Sequence, residues 1–212
     1  ILLACSLVAE ADKWYIATTG SDTHGKGTLA DPWLTLKHAC DTVTGANFVG
    51  DTIVVGVGTF TETAQITLGV GVSIYGAGAT SIITTGAALE PMFLLSSVSE
   101  GTAGNQSISG LTFDGDMTAL SCFSIIRRSN VVFDNCTFVD FLYTAIDIYG
   151  GSSFTDIPDT YATGFKILNT TIDNCCSRRD PGNFGAIRMG GTEGSEIAYN
   201  YLRQISRAST EN

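Results

Sequence analysis

The arginine residues are the side chains whose chemistry stands out first. All seven lie after residue 126, although the formal net charge of the 212 residues is −10. A guanidinium group binds a carboxylate or a sulfate through two parallel hydrogen bonds, as recognition of an acidic polysaccharide requires. These cations are Arg127, Arg128, Arg178, Arg179, Arg188, Arg203 and Arg207.

Asp147, Tyr149 and Arg188 have the residue types of a sugar-binding groove, and the repeat described below places them on one outward face. In that interpretation Arg188 holds a substrate carboxylate, Asp147 acts as a catalytic base or a calcium ligand, and Tyr149 stacks on a sugar ring. Arg127 or Arg128 would lie near the preceding turn of the repeat. The alternative is an ordinary cross-strand ion pair on a solvated face.

Two loops interrupt the strand pattern near that face. Residues 152–163 form a long insertion with Asp156 and Asp159, and residues 177–183 contain Arg178 and Arg179. Insertions in repeat proteins usually lie on one side and often border a binding cleft, which makes these two arginines candidate substrate-binding residues. Simple variation in turn length is the alternative.

The elements that must position these residues begin with a strand and a helix. Residues 14–18 form a β-prone run that ends at a Gly-rich loop. Apolar residues then recur at helical spacing, and Gly45 ends the pattern. This helix is placed as a cap over the open end of a repeat array. Its apolar positions are Leu36, Ala39, Cys40 and Val43.

From Asp51 onward, short apolar runs alternate with Gly, Asn, Ser and Asp, and one frame recurs at steps of 34, 25, 34 and 31 residues. Glycine and asparagine at the shared position tolerate left-handed backbone angles, and asparagine side chains can hydrogen-bond along a stack. We therefore expect a single vertical file at one corner of the molecule, formed by Gly76, Gly110, Asn135, Asn169 and Asn200.

A second set of strands interleaves with the first. Alternation places one group of side chains inward, at Met92, Phe123, Ile146, Ile187, Leu94, Ile125, Ile148 and Met189. The position between them faces outward, at Phe93, Ser124, Asp147 and Arg188.

Repeats of this length with almost no helix favour an all-β parallel β-helix over leucine-rich or ankyrin arrays. Residues 12–50 would then be the N-terminal strand and capping helix, and residues 51–212 the coils. The chain stops after a coil without an amphipathic cap, which predicts a solenoid truncated at its C-terminus.

Several segments near the start of the chain form a recognisable set, at residues 14–16, 20–22, 27–28, 31–33, 35–43, 50–55, 58–60 and 72–76. Together they resemble the opening of the pectin-lyase-like superfamily of right-handed parallel β-helix proteins. That resemblance implies a right-handed solenoid in a carbohydrate or cell-surface setting, and it covers about the first 85 residues. The superfamily includes polysaccharide lyases, some of them calcium-dependent, glycoside hydrolases, phage tailspikes and adhesins. No catalytic motif matches, so no active-site residue is carried over.

The leading functional hypothesis is a secreted or surface protein that binds a polysaccharide or cell-surface glycan, either without cleaving it or with cleavage by lyase or hydrolase chemistry. Whether it is an enzyme stays open, as does any need for calcium. The competing hypothesis is a non-catalytic structural, adhesive or tailspike component that self-associates. Nucleic-acid binding is disfavoured, because the net charge of −10 would repel phosphate.

The first eleven residues read as the end of a signal peptide, with a small-x-small cleavage site at residues 9–11. A rival interpretation takes residues 2–5 as a lipoprotein box, in which Cys5 is lipidated and tethers the domain to a membrane. A buried first strand is the third alternative. The signal-peptide and lipoprotein interpretations both place the protein outside the cell or on its surface.

The remaining cysteines and asparagines carry weaker signals. Cys40, Cys122 and Cys136 fall among apolar residues and are expected to be small buried hydrophobes instead of metal ligands. Three Asn-x-Ser/Thr sequences match glycosylation acceptors, and only Asn105 lacks a corner role. The other two are at Asn135 and Asn169.

Overall fold

A computed structural model of the protein describes residues 11–178 and 185–204. The chain is mainly β-structure, with 44% strand and 5% helix, and its strands pair in parallel, which confirms the predicted all-β class. The proposed lipidation site at Cys5 lies outside the described residues, as does all but the last residue of the predicted signal segment. No helix among the residues described is long and apolar enough to cross a membrane.

Three parallel sheets contain most of the strands. The first sheet has the spatial order β1 (Lys13–Ile16), β2 (Thr52–Val55), β5 (Ser73–Gly76), β8 (Thr102–Ser109), β11 (Arg128–Asp134), β15 (Lys166–Leu168) and β19 (Glu196–Ala198). The second sheet contains β4 (Ile66–Thr67), β7 (Phe93–Ser96), β10 (Ser121–Ile126), β13 (Thr144–Tyr149) and β17 (Ile187–Gly190). The third contains β3 (Gly58–Thr61), β6 (Ser81–Thr84), β9 (Thr112–Asp114), β12 (Thr137–Val139), β16 (Thr171–Asp173) and β20 (Tyr201–Arg203).

The chain passes through the sheets in a fixed cycle. From β2 to β17 each pass runs from the first sheet to the third and then to the second, and it adds one strand to each. The last pass within the described residues adds β19 to the first sheet and β20 to the third. A fourth, two-stranded sheet pairs β14 (Ala162–Thr163) with β18 (Thr192–Glu193). This cycle of parallel strands is compatible with a parallel β-helix.

The predicted helix is present as α1 (Leu36–Thr42), and its four predicted apolar positions are buried. The Thr35 hydroxyl accepts a hydrogen bond from the His38 amide at 3.1 Å, which caps the first turn. The Glu62 carboxylate accepts from the amides of Leu36 and Lys37 at 2.7 and 3.3 Å. The helix packs against β1, β2 and β4, and a 3-10 turn (Ala46–Phe48) follows it.

Aromatic rings from successive passes fill the core. Phe93 stacks on Phe123 with ring centroids 4.5 Å apart, and Phe113 stacks on Phe138 at 5.1 Å. The two stacks meet edge to face, since Phe113 lies 5.1 Å from Phe123 at 90°. Parallel in-register strands place like residues over one another, which makes such continuous stacks the natural core of this arrangement.

The predicted corner file is confirmed for its first four members. In the first sheet, the residues directly before the file members are paired with one another in successive strands. The file members themselves therefore lie side by side, at Gly76, Gly110, Asn135 and Asn169. Asn135 and Asn169 have left-handed φ angles of 52° and 49°. Asn169 does not bond Asn135, however; its Nδ2 donates to Asp134 Oδ1 at 2.8 Å.

The fifth member of the file is Tyr199, so the prediction of Asn200 was wrong by one residue. Leu168 pairs with Ala198, and Tyr199 has the left-handed φ of 59°. Asn200 instead accepts from the Thr170 amide at 2.8 Å and donates to the Ile167 carbonyl at 2.7 Å.

In the second sheet, strand β7 is shifted by one residue from the predicted register. Phe93, predicted to face outward, pairs with Phe123 and is buried, as is Leu95, whereas Leu94 pairs with Ser124 on the outer side. Met92, which precedes the strand, is also buried. The ring stack of Phe93 on Phe123 accounts for this register, because it buries the larger side chain.

The three cysteines predicted as buried hydrophobes are buried as free thiols. Burial raises the pKa of the Cys136 thiol to about 12, so this thiol stays protonated and unreactive at neutral pH. Among the described residues the cysteines form no disulfide.

Candidate functional site

Asp147 and Arg188 are neighbours on the outer face of the second sheet. They lie on adjacent strands β13 and β17 and are paired in register, as the repeat predicted. Arg188 Nε donates to Asp147 Oδ1 at 2.7 Å, and Nη2 donates to Oδ2 at 2.7 Å. The side chains are only 17% and 6% exposed, so this two-pronged ion pair is shielded from solvent.

The Thr144 hydroxyl also bonds the Asp147 carboxylate. Thr144 Oγ1 lies 2.9 Å from Asp147 Oδ2 and 2.9 Å from Ser121 Oγ. Because an ionised carboxylate can only accept, the single hydroxyl hydrogen of Thr144 is best used toward Asp147. Both oxygens of Asp147 therefore already accept hydrogen bonds, which leaves this carboxylate poorly placed to act as a base.

Tyr149 completes the cluster on β13. Its hydroxyl oxygen accepts a hydrogen bond from Arg188 Nη2 at 3.0 Å. Burial, with the negative charge of Asp147 adding to it, raises the pKa of Tyr149 to about 12. The hydrogen bond with Asp147 likewise raises the pKa of Arg188. Tyr149 thus remains a neutral phenol and Arg188 a cation at physiological pH.

Phe154 belongs to the site but was not predicted from the sequence. Arg188 Cζ lies 5.9 Å from the centre of the Phe154 ring, and the ring meets Tyr149 edge to face at 6.2 Å. Phe154 is 51% exposed. The only available signal was an aromatic residue inside the insertion of residues 152–163, which was expected to border this face.

The insertion is held over the sheet by its own hydrogen bonds. Asp156 accepts from both the amide and the hydroxyl of Ser152, at 2.7 and 2.5 Å, and these bonds lower the pKa of the Asp156 carboxyl. Glu100 accepts from the Thr160 amide at 3.0 Å. At the base of the insertion, a Cβ added to Gly150 would lie 1.8 Å from the Gly191 carbonyl oxygen, so only glycine fits.

The other arginines predicted to bind substrate are distributed differently. Arg127 lies beside the insertion, where its charge helps to lower the pKa of Asp156, and its Nη1 donates to the Val98 carbonyl at 3.2 Å. Arg178 is exposed and lies 6.0 Å from the Tyr143 ring centre. Arg179 lies outside the described residues.

Arg128 lies in the interior, and at 1% exposure it does not reach the outer face. Its guanidinium donates four hydrogen bonds of 2.7–3.1 Å, to Ser97 Oγ, Gln106 Oε1 and the carbonyls of Leu68 and Ser96. Burial lowers its pKa to about 10, which still leaves it charged at neutral pH. Arg128 therefore links its own pass of the chain to three earlier passes and does not join the cluster around Arg188.

The surroundings of Asp147 do not fit a calcium ion. Calcium takes six to eight oxygen ligands, whereas Asp147 is already bound by a cation, Arg188, through both carboxylate oxygens. Across the residues that the structure describes, no group of three or more His, Cys, Asp or Glu side chains could hold a metal ion.

Comparisons with protein-family models, with curated proteins and with solved structures found no match to the chain. Function is therefore inferred from the side chains of the site and their contacts.

Proposed function

We propose that this protein is a right-handed parallel β-helix of the pectin-lyase-like kind that binds an acidic polysaccharide outside the cell. Residues 12–50 would cap the solenoid and residues 51–212 would form its coils. The cycle of parallel strands through three sheets supports this fold, as does the resemblance of the N-terminal 85 residues. Secretion, or tethering through a lipidated Cys5, is part of the same proposal.

One observation carries the functional part of the proposal: Arg188 contacts both a carboxylate and an aromatic ring on the outer face of a sheet. Asp147 fixes the guanidinium in an ion pair, and the centre of the Phe154 ring lies 5.9 Å from its Cζ. A fixed guanidinium beside exposed aromatic surface suits a sugar ring that bears a carboxylate, because the ring can stack while the anion meets the cation. Tyr149 and Arg127 border the same surface.

The geometry favours binding over cleavage. A lyase or hydrolase needs a group free to take or give a proton at the substrate. Asp147 accepts from Arg188 and Thr144, and Tyr149 has a pKa near 12, so neither is poised for proton transfer at neutral pH. Cleavage accordingly enters as an outcome to be tested.

The saturation of the ion pair also favours a second candidate function. If Asp147 and Arg188 serve only each other, the pair is a cross-strand brace, and the protein is a structural or adhesive component whose stacked passes form a rigid rod. Self-association would then replace glycan binding.

Incubation of the purified protein with pectate, alginate and chondroitin separates these functions. Co-sedimentation or affinity electrophoresis measures binding, and ultraviolet absorbance detects the unsaturated product of a lyase. We expect saturable binding to at least one polymer without product. Formation of product would make the protein a lyase, whereas no binding to any of the three, together with ordered self-association, would support the structural function.

A further inference from the structure

A groove on the outer face of the first sheet offers a second place for a ligand, away from the Asp147 cluster. Its volume is ≈ 380 Å³, within the range of small-molecule sites. It runs across strands β1, β2, β5 and β8. Its lining residues are Lys13, Thr52, Val54, Ser73, Ile74, Tyr75, Ser107 and Ser109.

The groove follows from side-chain size and strand register. Lys13, Thr52 and Ser73 occupy one file across β1, β2 and β5, and Val54 and Tyr75 are paired in the file beside it. Small hydroxyl side chains therefore form the floor, while the 56% exposed Tyr75 rises from it.

Ser73 also takes part in the pairing of the strands beneath the groove. Its Oγ accepts a hydrogen bond from the Ser107 amide at 3.1 Å. The hydroxyl hydrogen of Ser73 is therefore still available as a donor toward the groove.

Several polar groups of the groove have unused hydrogen-bonding capacity. Within residues 11–178 and 185–204, Lys13 Nζ, the Tyr75 hydroxyl and the side-chain hydroxyls of Thr52 and Ser109 have no hydrogen-bond partner. This contrasts with Asp147, whose oxygens are bound by Arg188 and Thr144. Convergent unpaired polar groups beside an aromatic ring in a concavity are the usual anatomy of a ligand site.

Charge indicates what kind of ligand fits. Lys13 is the only charged residue in the lining, in a chain whose net charge is −10. Asp134, paired with Ser109 in the neighbouring strand, is bound by Asn169. The groove thus presents a cation to its ligand and no carboxylate.

We propose that this groove binds a short acidic saccharide segment, with Tyr75 stacking on a sugar ring, Lys13 meeting its carboxylate, and the Ser and Thr hydroxyls bonding sugar hydroxyls. The site is independent of Asp147 and Arg188, and it stands whether or not those residues bind glycan.

Titration calorimetry with a galacturonate trimer tests the groove, and a neutral glucose trimer of the same length serves as the comparison ligand. Tyr75→Ala should weaken binding of the acidic trimer about tenfold, since the stacking surface is removed. Lys13→Gln should bring its affinity close to that of the neutral trimer. Tyr15→Ala is the matched control, because Tyr15 lies in the same file on β1 but outside the lining. It should bind like the wild type.

Arg188→Gln distinguishes this site from the one on the second sheet. If Tyr75→Ala weakens trimer binding and Arg188→Gln does not, the groove is the trimer site. This conclusion holds even if Arg188→Gln no longer binds long polymers. The proposal is overturned if the trimer does not bind, or if Tyr75→Ala and Lys13→Gln both bind it as tightly as the wild type. Circular dichroism and thermal unfolding check that the variants are folded; both side chains are exposed, so their loss leaves the core intact.

Discussion

Arg188 donates two hydrogen bonds of 2.7 Å each to Asp147 on the neighbouring parallel strand. The pair is nearly buried, and the carboxylate has additional support from Thr144. A buried ion pair adds little over an apolar pair, but removal of one partner leaves the other charge unpaired.

The first prediction concerns the stability lost when one partner of this ion pair is removed. Arg188→Gln should lower the free energy of unfolding by about 2 kcal/mol, because Asp147 loses two charge-assisted hydrogen bonds. Arg203→Gln is the matched control, since Arg203 bonds Asp173 in the same two-pronged way on the third sheet but is 53% exposed. Urea unfolding should show a smaller loss for the control, and equal losses would mean that the Arg188 pair is an ordinary surface bridge.

The second prediction concerns the buried guanidinium of Arg128. Arg128→Met should destabilise the protein by about 3 kcal/mol, because the carbonyls of Leu68 and Ser96 and the Gln106 amide oxygen lose their donor inside the core. Arg128→Lys should recover only part of this, since an ammonium lacks the planar fork. The exposed Arg178→Gln should have little effect on thermal unfolding. A stable Arg128→Met variant would show that the apolar stem alone is what the site needs.

The third prediction is a pH dependence at the start of α1. Burial raises the pKa of Glu62 above its ordinary value, despite the amide hydrogen bonds from Leu36 and Lys37. Because the folded pKa exceeds the unfolded one, the stability that Glu62 contributes is greatest below the unfolded pKa and falls as the pH rises through the folded one. Glu62→Gln should therefore gain stability relative to the wild type between about pH 4 and neutral pH.

Asp22 also bonds the start of α1, but its pKa is lowered where that of Glu62 is raised. Burial of its carboxylate is outweighed by hydrogen bonds from Thr35 and Leu34, which leave its pKa lowered. Asp22→Asn should therefore lose stability relative to the wild type as the pH rises above the Asp22 pKa. The Asp22 effect therefore lies below about pH 4 and the Glu62 effect above it. Chemical unfolding from strongly acidic to neutral pH measures both slopes, and slopes of the same sign would refute the assignment.

The fourth prediction tests the corner of the first sheet. Tyr199 is 85% exposed and has a φ of 59°, which is unfavourable for a bulky residue. Tyr199→Asn should stabilise the protein by about 1 kcal/mol by relieving that conformation. Asn200→Ala should destabilise it, because two backbone groups lose their side-chain partner. If the effects are reversed in thermal unfolding, Asn200 occupies the left-handed position after all.

Periodicity in the sequence predicted the all-β class, the helix and the placement of Asp147 beside Arg188. The helix followed from apolar residues at helical spacing, and the ion pair followed from the strand repeat. The two errors, at Phe93 and Asn200, are shifts of one residue. Alternation identifies two faces of a strand but cannot say which face is inward when apolar residues are consecutive, as at residues 92–95. At these residues, the stacking of Phe93 on Phe123 determines which face of the strand is inward.

The contents of the site were less predictable for a different reason. Phe154 lies in an insertion without a repeat partner, so no alignment places it against Arg188. Arg128 was expected at the surface, where arginine usually lies, and its interior position depends on carbonyl groups from two earlier passes. Contacts of that kind are set by the three-dimensional path of the chain.

The most direct test of glycan binding at Arg188 is the affinity of an acidic polysaccharide for four proteins compared at equal ionic strength. These are the wild type, the two site variants Arg188→Gln and Phe154→Ala, and the matched control Arg203→Gln. We predict that Arg188→Gln and Phe154→Ala each weaken binding about tenfold or more while Arg203→Gln leaves it unchanged. Equal affinity of all four proteins, each shown to be folded, would contradict a binding site on this face.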